Sequence, residues 1–106
     1  MKSVIVEDHK TDEYGNPAGG ESIGRGFKIV WQNGPLNVDG LRREPNGAFV
    51  EDVLAAVIGR IDFYQKSRFH GIHNAVALGH LYAAAEALAE RTRDRESRGV
   101  EGTHRV

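Results

Sequence analysis

The stretch Val50-Glu-Asp-Val-Leu-Ala-Ala-Val-Ile-Gly-Arg-Ile-Asp-Phe-Tyr-Gln65 decides the fold. Its Val50, Val53, Leu54, Val57, Ile58, Ile61 and Tyr64 recur every three or four residues, which is one apolar stripe at helical period. Asn46 stands where an N-cap would, and Glu51 and Asp52 lie near the positive end of the helix dipole. The spacing predicts a first helix over 47–66. A second is predicted over 71–98, ended by Gly99 as a C-cap. Its expected inner face is Ala75, Leu78, Leu81, Tyr82, Ala85, Leu88, Ala89 and Thr92. The few residues between, 67–70, make the pair an antiparallel hairpin.

Upstream the texture changes. Eight of the 13 glycines fall between Gly15 and Gly47, and Pro17, Pro35 and Pro45 share that part. Gly and Pro punctuate short strands and turns. A short strand is expected over 3–8 and a loop over 10–21. In Arg25-Gly-Phe-Lys-Ile-Val-Trp-Gln-Asn33, Phe27, Ile29 and Trp31 alternate with Lys28, Val30 and Gln32, the period of a half-buried strand. Asn33-Gly34-Pro35 turns the chain, 36–38 returns as a second short strand, and Asp39-Gly40 and Pro45-Asn46-Gly47 are further turns. The fold class is therefore α+β: a short N-terminal β-ribbon followed by a long antiparallel two-helix hairpin. All of 1–106 reads as a single domain, with a polar N-terminal segment (1–24), the ribbon and loop (25–45), the hairpin (46–98) and a C-terminal tail (99–106). A two-stranded ribbon is marginal alone and a small fold buries a low fraction of its surface. The first helix is also apolar or small around much of its girth, from Phe49 through Ile58. An obligate homo-oligomer, with hairpins packing into a bundle, is the expected remedy.

Composition narrows the function classes. The chain of 106 residues is 40% apolar and 27% charged, which is globular rather than disordered. A formal charge of -1 argues against a polymeric nucleic acid as partner. With no cysteine there is no disulfide, thiolate metal site or cysteine nucleophile. No run approaches the roughly 18 apolar residues of a spanning helix, and the N-terminus lacks a signal-peptide pattern. No membrane partner is expected, and the protein should stay in the cell that makes it.

Most chemistry-bearing patterns reduce to structure. Gly20-Glu-Ser-Ile-Gly24-Arg-Gly26 precedes a strand instead of linking a strand to a helix, so it is no dinucleotide fingerprint, although Arg25 and Lys28 there could meet an anion. His73 and His80 are two helical turns apart, about 10 Å, too far to share one tetrahedral ion. Glu86 and Glu90 read as surface charge, and no serine has the context of a nucleophile with its base. No catalytic residue, metal or cofactor is expected. The arginines say more. Arg91, Arg95 and Arg98 project from one side of the second helix, where guanidinium forks could grip phosphate, with Asp94 and Glu96 expected to point elsewhere. Asn74 begins the same helix, and Tyr64 and Phe69 flank the connection. A stacking ring, an amide and a guanidinium make a nucleotide-type site. Asn74 and Arg91 are about 25 Å apart along one helix, so such a pocket would be composite, built between subunits.

Three runs carry a family resemblance: Phe27-Lys-Ile-Val-Trp-Gln-Asn-Gly-Pro-Leu36; Arg60-Ile-Asp-Phe-Tyr-Gln65 followed by His73-Asn74; and Arg91 through Arg95 and Arg98 to Gly-Val-Glu-Gly-Thr-His104. They resemble phage anti-defence sponges, the anti-Thoeris sponges of the first type and their anti-CBASS relatives, which share a helical-hairpin domain. The resemblance covers roughly residues 25–104. It implies a non-enzymatic protein, acting in the cytoplasm of the infected bacterial host, that sequesters a cyclic ADP-ribose isomer without degrading it. Some members also bind cyclic di- or trinucleotides, and homodimers and homohexamers built as trimers of dimers occur. By motif, Tyr64 is implied as the ring that stacks adenine, Asn74 as a polar ligand contact and Arg91 as the phosphate contact, with Arg95 beside it and Arg25 and Lys28 in this or a second site. The alternatives are a helical structural or regulatory interaction module and a cyclic-nucleotide hydrolase.

Overall fold

A computed structural model describes residues 4–106. The order of elements is β1 (Val4–Thr11), β2 (Pro17–Gly24), β3 (Phe27–Val30), β4 (Asn37–Val38), β5 (Leu41–Arg42), α1 (Val50–Gln65) and α2 (Ile72–Ser97). The α+β class and the order of strands before helices are as expected. The chain forms two compact units. One holds the strands, up to Phe49, together with Val100–Val106; the other is Val50–Gly99. Ser3, the first residue of the expected N-terminal strand, lies outside the described residues.

The sheet is larger than the sequence suggests. β1, β2 and β3 form an antiparallel three-stranded sheet in that order. Residues 17–21, expected as loop, belong to β2. Its sequence, PAGGESIG, has neither alternation nor β-branched content until Ile23, so nothing in its side chains announces a strand. The true turn is only 12–16. There the Asp12 carboxylate accepts from the backbone N–H of Tyr14 and of Asn16, each at 2.9 Å. Register slips between His9 and Thr11, and Gly20 lies opposite His9 with φ +121°. A Cβ on Gly20 would sit 1.9 Å from the Asp8 carbonyl oxygen, so this position requires glycine.

Side-chain bonds then cross the sheet. Trp31 donates its indole N–H to Ser22 Oγ at 2.8 Å, and Ser22, itself buried, donates to the Glu7 carboxylate on β1. Beyond Trp31 the chain meets residues 46–48. Ala48 N–H donates to Val30 O at 2.7 Å and Gln32 N–H to Ala48 O at 3.0 Å. A Cβ on Gly47 would lie 2.6 Å from the Trp31 carbonyl, so glycine permits this approach. Asn46 is no helix cap. Its side chain accepts from Asn33 N–H at 2.8 Å and donates to Asn33 O at 2.9 Å, and α1 begins only at Val50.

β4 and β5 pair across Asp39-Gly40, both at positive φ, as a two-residue hairpin turn requires. The tail returns to this ribbon. Asn37 N–H donates to Gly102 O at 2.9 Å and its side chain to Glu101 O at 2.8 Å. Arg42 grips the Glu101 carboxylate through Nη1 at 2.8 Å and Nη2 at 3.3 Å. Leu36 and Val100 are the buried apolar side chains of the described residues.

In the second unit α1 and α2 pack together as the predicted hairpin. Val53, Leu54, Ile58 and Ile61 are half-buried on α1; Ala77, Leu78, Leu81, Ala85, Leu88, Ala89 and Thr92 are half-buried on α2. Ala75 and Tyr82, expected on the inner face, are exposed. Alanines surround α2 on all sides, so its apolar period does not settle which face turns inward. The connection is closed by Gln65, which donates to Gly71 O at 3.1 Å and accepts from Gly71 N–H at 2.9 Å. At the far end Gly99, at φ +71°, donates to Glu96 O at 3.0 Å, the left-handed stop expected of it. Neither helix, among the described residues, is long and apolar enough to cross a membrane.

Two outcomes are expected. Gly20→Ala should destabilise the sheet unit by roughly 2–4 kcal/mol, since it combines a disfavoured φ with a backbone clash; denaturant unfolding followed by Trp31 fluorescence measures this. The Glu7 carboxyl is held below the usual glutamate range by the Ser22 hydroxyl and then by His9, and Asp12 is held low chiefly by the Asn16 backbone N–H. Both depressions mean that the folded state binds fewer protons than the unfolded. The stability they contribute is therefore complete above the ordinary carboxylate range, about 4, and is lost as pH falls through the folded values. Ser22→Ala should flatten that acid dependence in unfolding measured from neutral pH downward.

Candidate functional site

The connection between α1 and α2 gathers aromatic and cationic side chains. Tyr64, in the last turn of α1, is 37% exposed. Arg60, one turn earlier, lays its guanidinium 5.0 Å from the centroids of both Phe63 and Tyr64, and its Nε donates to Tyr64 Oη at 3.2 Å. The two rings stand 6.2 Å apart, tilted by 52°. Arg68 covers Phe69 at 4.9 Å. Phe69 and Ile72, at 67% and 73% exposure, complete an open apolar corner. Asn74 occupies the first turn of α2 and turns its Nδ2 back to Phe69 O at 3.1 Å. The amide thus holds the connection in shape while its oxygen is left available among the described residues. Tyr64 and Asn74 therefore share one end of the hairpin.

Arg91 and Arg95 lie toward the other end. Seventeen residues of α2 separate Asn74 from Arg91, about 25 Å at the rise of an α-helix. Within one chain the ring-and-amide corner and the guanidinium do not meet. Around Arg91 the charges sort themselves. Arg93 pairs with Glu86 at 2.8 Å, and Arg98 Nε donates to Asp94 at 3.1 Å. Asp94, expected to point away from the cluster, is instead engaged by it, because i, i+4 residues are neighbours on a helix surface. Arg91 is exposed and has no hydrogen-bond or ion-pair partner among the described residues. Arg95 is half-buried and engaged.

Arg25 and Lys28 belong to the sheet unit. Arg25 is exposed in the tight turn between β2 and β3. Lys28 on β3 faces the Glu21 carboxylate at 3.6 Å, so its charge is partly answered. Among the described residues no cluster of His, Asp and Glu could hold a metal ion. Sequence reasoning passed over Arg60. Its signal was present in the spacing Arg60-x-x-Phe63-Tyr64, which puts a guanidinium over two rings on one helix face.

No protein-family model matches the sequence. The chain is similar to Thoeris anti-defense 1 of Bacillus phage SBSphiJ7, with 42% identity over 76 residues. The match covers 72% of this chain and 51% of the phage protein, so the chain spans about half the length of that relative. The similarity supports an anti-Thoeris relationship.

Asn74→Ala should lower hairpin stability by about 0.5–1.5 kcal/mol, the ordinary net worth of one hydrogen bond. Helix ellipticity followed through thermal unfolding tests this, and an unchanged midpoint would show that the Phe69 carbonyl does not depend on the amide.

Proposed function

We propose that this chain is an anti-Thoeris protein of infected bacterial cells that works as a sponge, binding a cyclic ADP-ribose isomer between two copies of itself and not turning it over. The observation that carries the reading is the 42% identity to Thoeris anti-defense 1. The geometry is compatible with it. A cyclic ADP-ribose isomer presents a purine face, hydroxyls and a pyrophosphate. Tyr64 offers a ring for the first, the Asn74 amide oxygen an acceptor for the second, and Arg91 a bidentate cation for the third.

The separation of these groups favours one kind of assembly. An antiparallel second copy reverses the direction of α2, so that Arg91 of one protomer comes to the Tyr64–Asn74 corner of the other. Two equivalent sites follow from one two-fold axis. That axis passes beside Tyr82 and Ala83, midway between Asn74 and Arg91. Tyr82 is exposed there, and Val50, Val57 and Val76 also leave apolar surface uncovered on the hairpin. Cyclic di- or trinucleotides fit the same logic of stacking and phosphate capture, and Arg25 and Lys28 on the sheet unit would belong to a second, separate site. Dimers would associate further into a hexamer where more apolar surface is to be covered.

Retention without turnover also suits the residues. Ser22 is buried, and its oxygen already accepts from the Trp31 indole, so its hydroxyl does not face a substrate. A sponge needs tight binding and slow release, which a desolvated guanidinium–phosphate contact provides.

Native mass spectrometry after incubation with a panel of cyclic nucleotides tests the reading. The expected result is a closed oligomer carrying one ligand per site, released intact on heating; linear ADP-ribose in multiple-turnover amounts would make the protein a hydrolase, and a ligand-free monomer would remove the composite site. Arg91→Ala should weaken binding by roughly 2–4 kcal/mol with the oligomer unchanged.

A further inference from the structure

We infer that Arg60 is a positioning residue, which orders the Tyr64 ring and keeps one of its faces ready for a base. The inference rests on the sponge reading and adds a residue to it. Three observations converge. The guanidinium lies over Tyr64 at 5.0 Å from the ring centroid, and equally over Phe63. Its Nε donates to the Tyr64 hydroxyl at 3.2 Å, which couples the tip of the ring to the same group that covers its face. The rings of Phe63 and Tyr64 are 6.2 Å apart, so one planar cation braces both.

The consequence for binding is entropic and geometric. An exposed tyrosine on the last turn of a helix can rotate about its side-chain bonds, and a ligand that stacks on it must stop that motion. A planar guanidinium with a directed N–H restrains the ring before the ligand arrives. It also occupies the face on its own side, so a base can approach only from the opposite face. A flexible ammonium can supply charge here but neither the planar cover nor the Nε donor.

The test uses the full-length protein and a cyclic ADP-ribose isomer as the probe. Arg60→Lys keeps the charge. It should cost about tenfold in affinity, which corresponds to 1.4 kcal/mol, with mass in solution and helix content unchanged. In ligand-free protein the same substitution should move the Tyr64 ring resonances, a change that a purely electrostatic role would not produce. In a Tyr64→Leu background, Arg60→Lys should have no further effect, because it acts through the ring.

Wild-type affinity in Arg60→Lys, or additive losses in the double variant, overturns the positioning role. So does loss of affinity in Arg60→Gln that lysine restores, since that pattern marks a direct phosphate contact. Failure of the wild-type protein to bind any cyclic nucleotide is a different result: it removes the sponge reading itself, and this use of Arg60 with it.

Discussion

The indole N–H of Trp31, the residue that follows β3, reaches Ser22 on β2, and Ser22 reaches Glu7 on β1, so one run of side-chain bonds crosses the sheet. Most of the sheet unit depends on that crossing. Its buried apolar side chains among the described residues are Leu36 and Val100, too few to hold strands by burial alone. Polar contacts made at short range do what a large core does elsewhere. The side-chain amides of Gln32 and Asn46 hydrogen-bond to the backbone of Asn46 and Asn33, and Gly47 lets the segment before α1 press against the Trp31 backbone. The tail completes the unit from the opposite end of the sequence, seating Val100 and binding Glu101 to Asn37 and Arg42. The hairpin is thus inserted between two segments of the same unit, leaving it after Phe49 and rejoining it at Val100.

The hairpin has the complementary property. Its helices touch along half-buried leucine, isoleucine and alanine, yet none of their described residues is fully buried. Two helices side by side can cover only one stripe each. The apolar stripe of α1 is wider than that, and Val50, Val57 and Tyr64 spill beyond the contact. The same spill that makes an isolated hairpin costly is what would give a second copy something to cover. If Asn74 and Arg91 serve one ligand, as proposed, the roughly 25 Å between them would also call for a second copy. Stability and ligand capture would then make the same demand on the chain.

Legibility in the sequence followed the range of the interactions. The helices were readable because their signal is local: Val50 through Tyr64 repeat at 3.6 residues, and Gly99 marks the stop. β2 was not, because its pairing relies on backbone bonds and on glycines that avoid a clash, neither of which leaves an apolar rhythm. Asn46 looked like a cap because its neighbours in sequence suggested one; its actual partners, Asn33 and Gln32, lie 13 and 14 residues away. The docking of Glu101 on Arg42 spans 59 residues and had no local trace at all. At the candidate site, residue chemistry picked out Tyr64, Asn74 and Arg91, while Arg60 escaped notice because a lone arginine on a helix usually means solvent. Asp94 is misread for a related reason: the three arginines of one helix side draw the eye as a set, while the partner of Asp94 is simply Arg98 one turn away.

Charge gives the last constraint. The chain carries a net -1, so it has no general field to draw anions toward it. Any anion must be captured by particular cations that their own neighbours have not already neutralised. Lys28, Lys66, Arg93 and Arg98 each lie beside a carboxylate. Arg91 does not among the described residues, and an exposed guanidinium without a partner there has hydration to lose and a phosphate to gain. One such cation at the surface is worth little against salt. Enclosed beside a braced aromatic ring, it is screened less and competes with fewer waters. On the sponge reading proposed above, closing such a corner over a doubly charged messenger is how a protein of this size and charge would hold it, and association of chains would then be part of recognition rather than an addition to it.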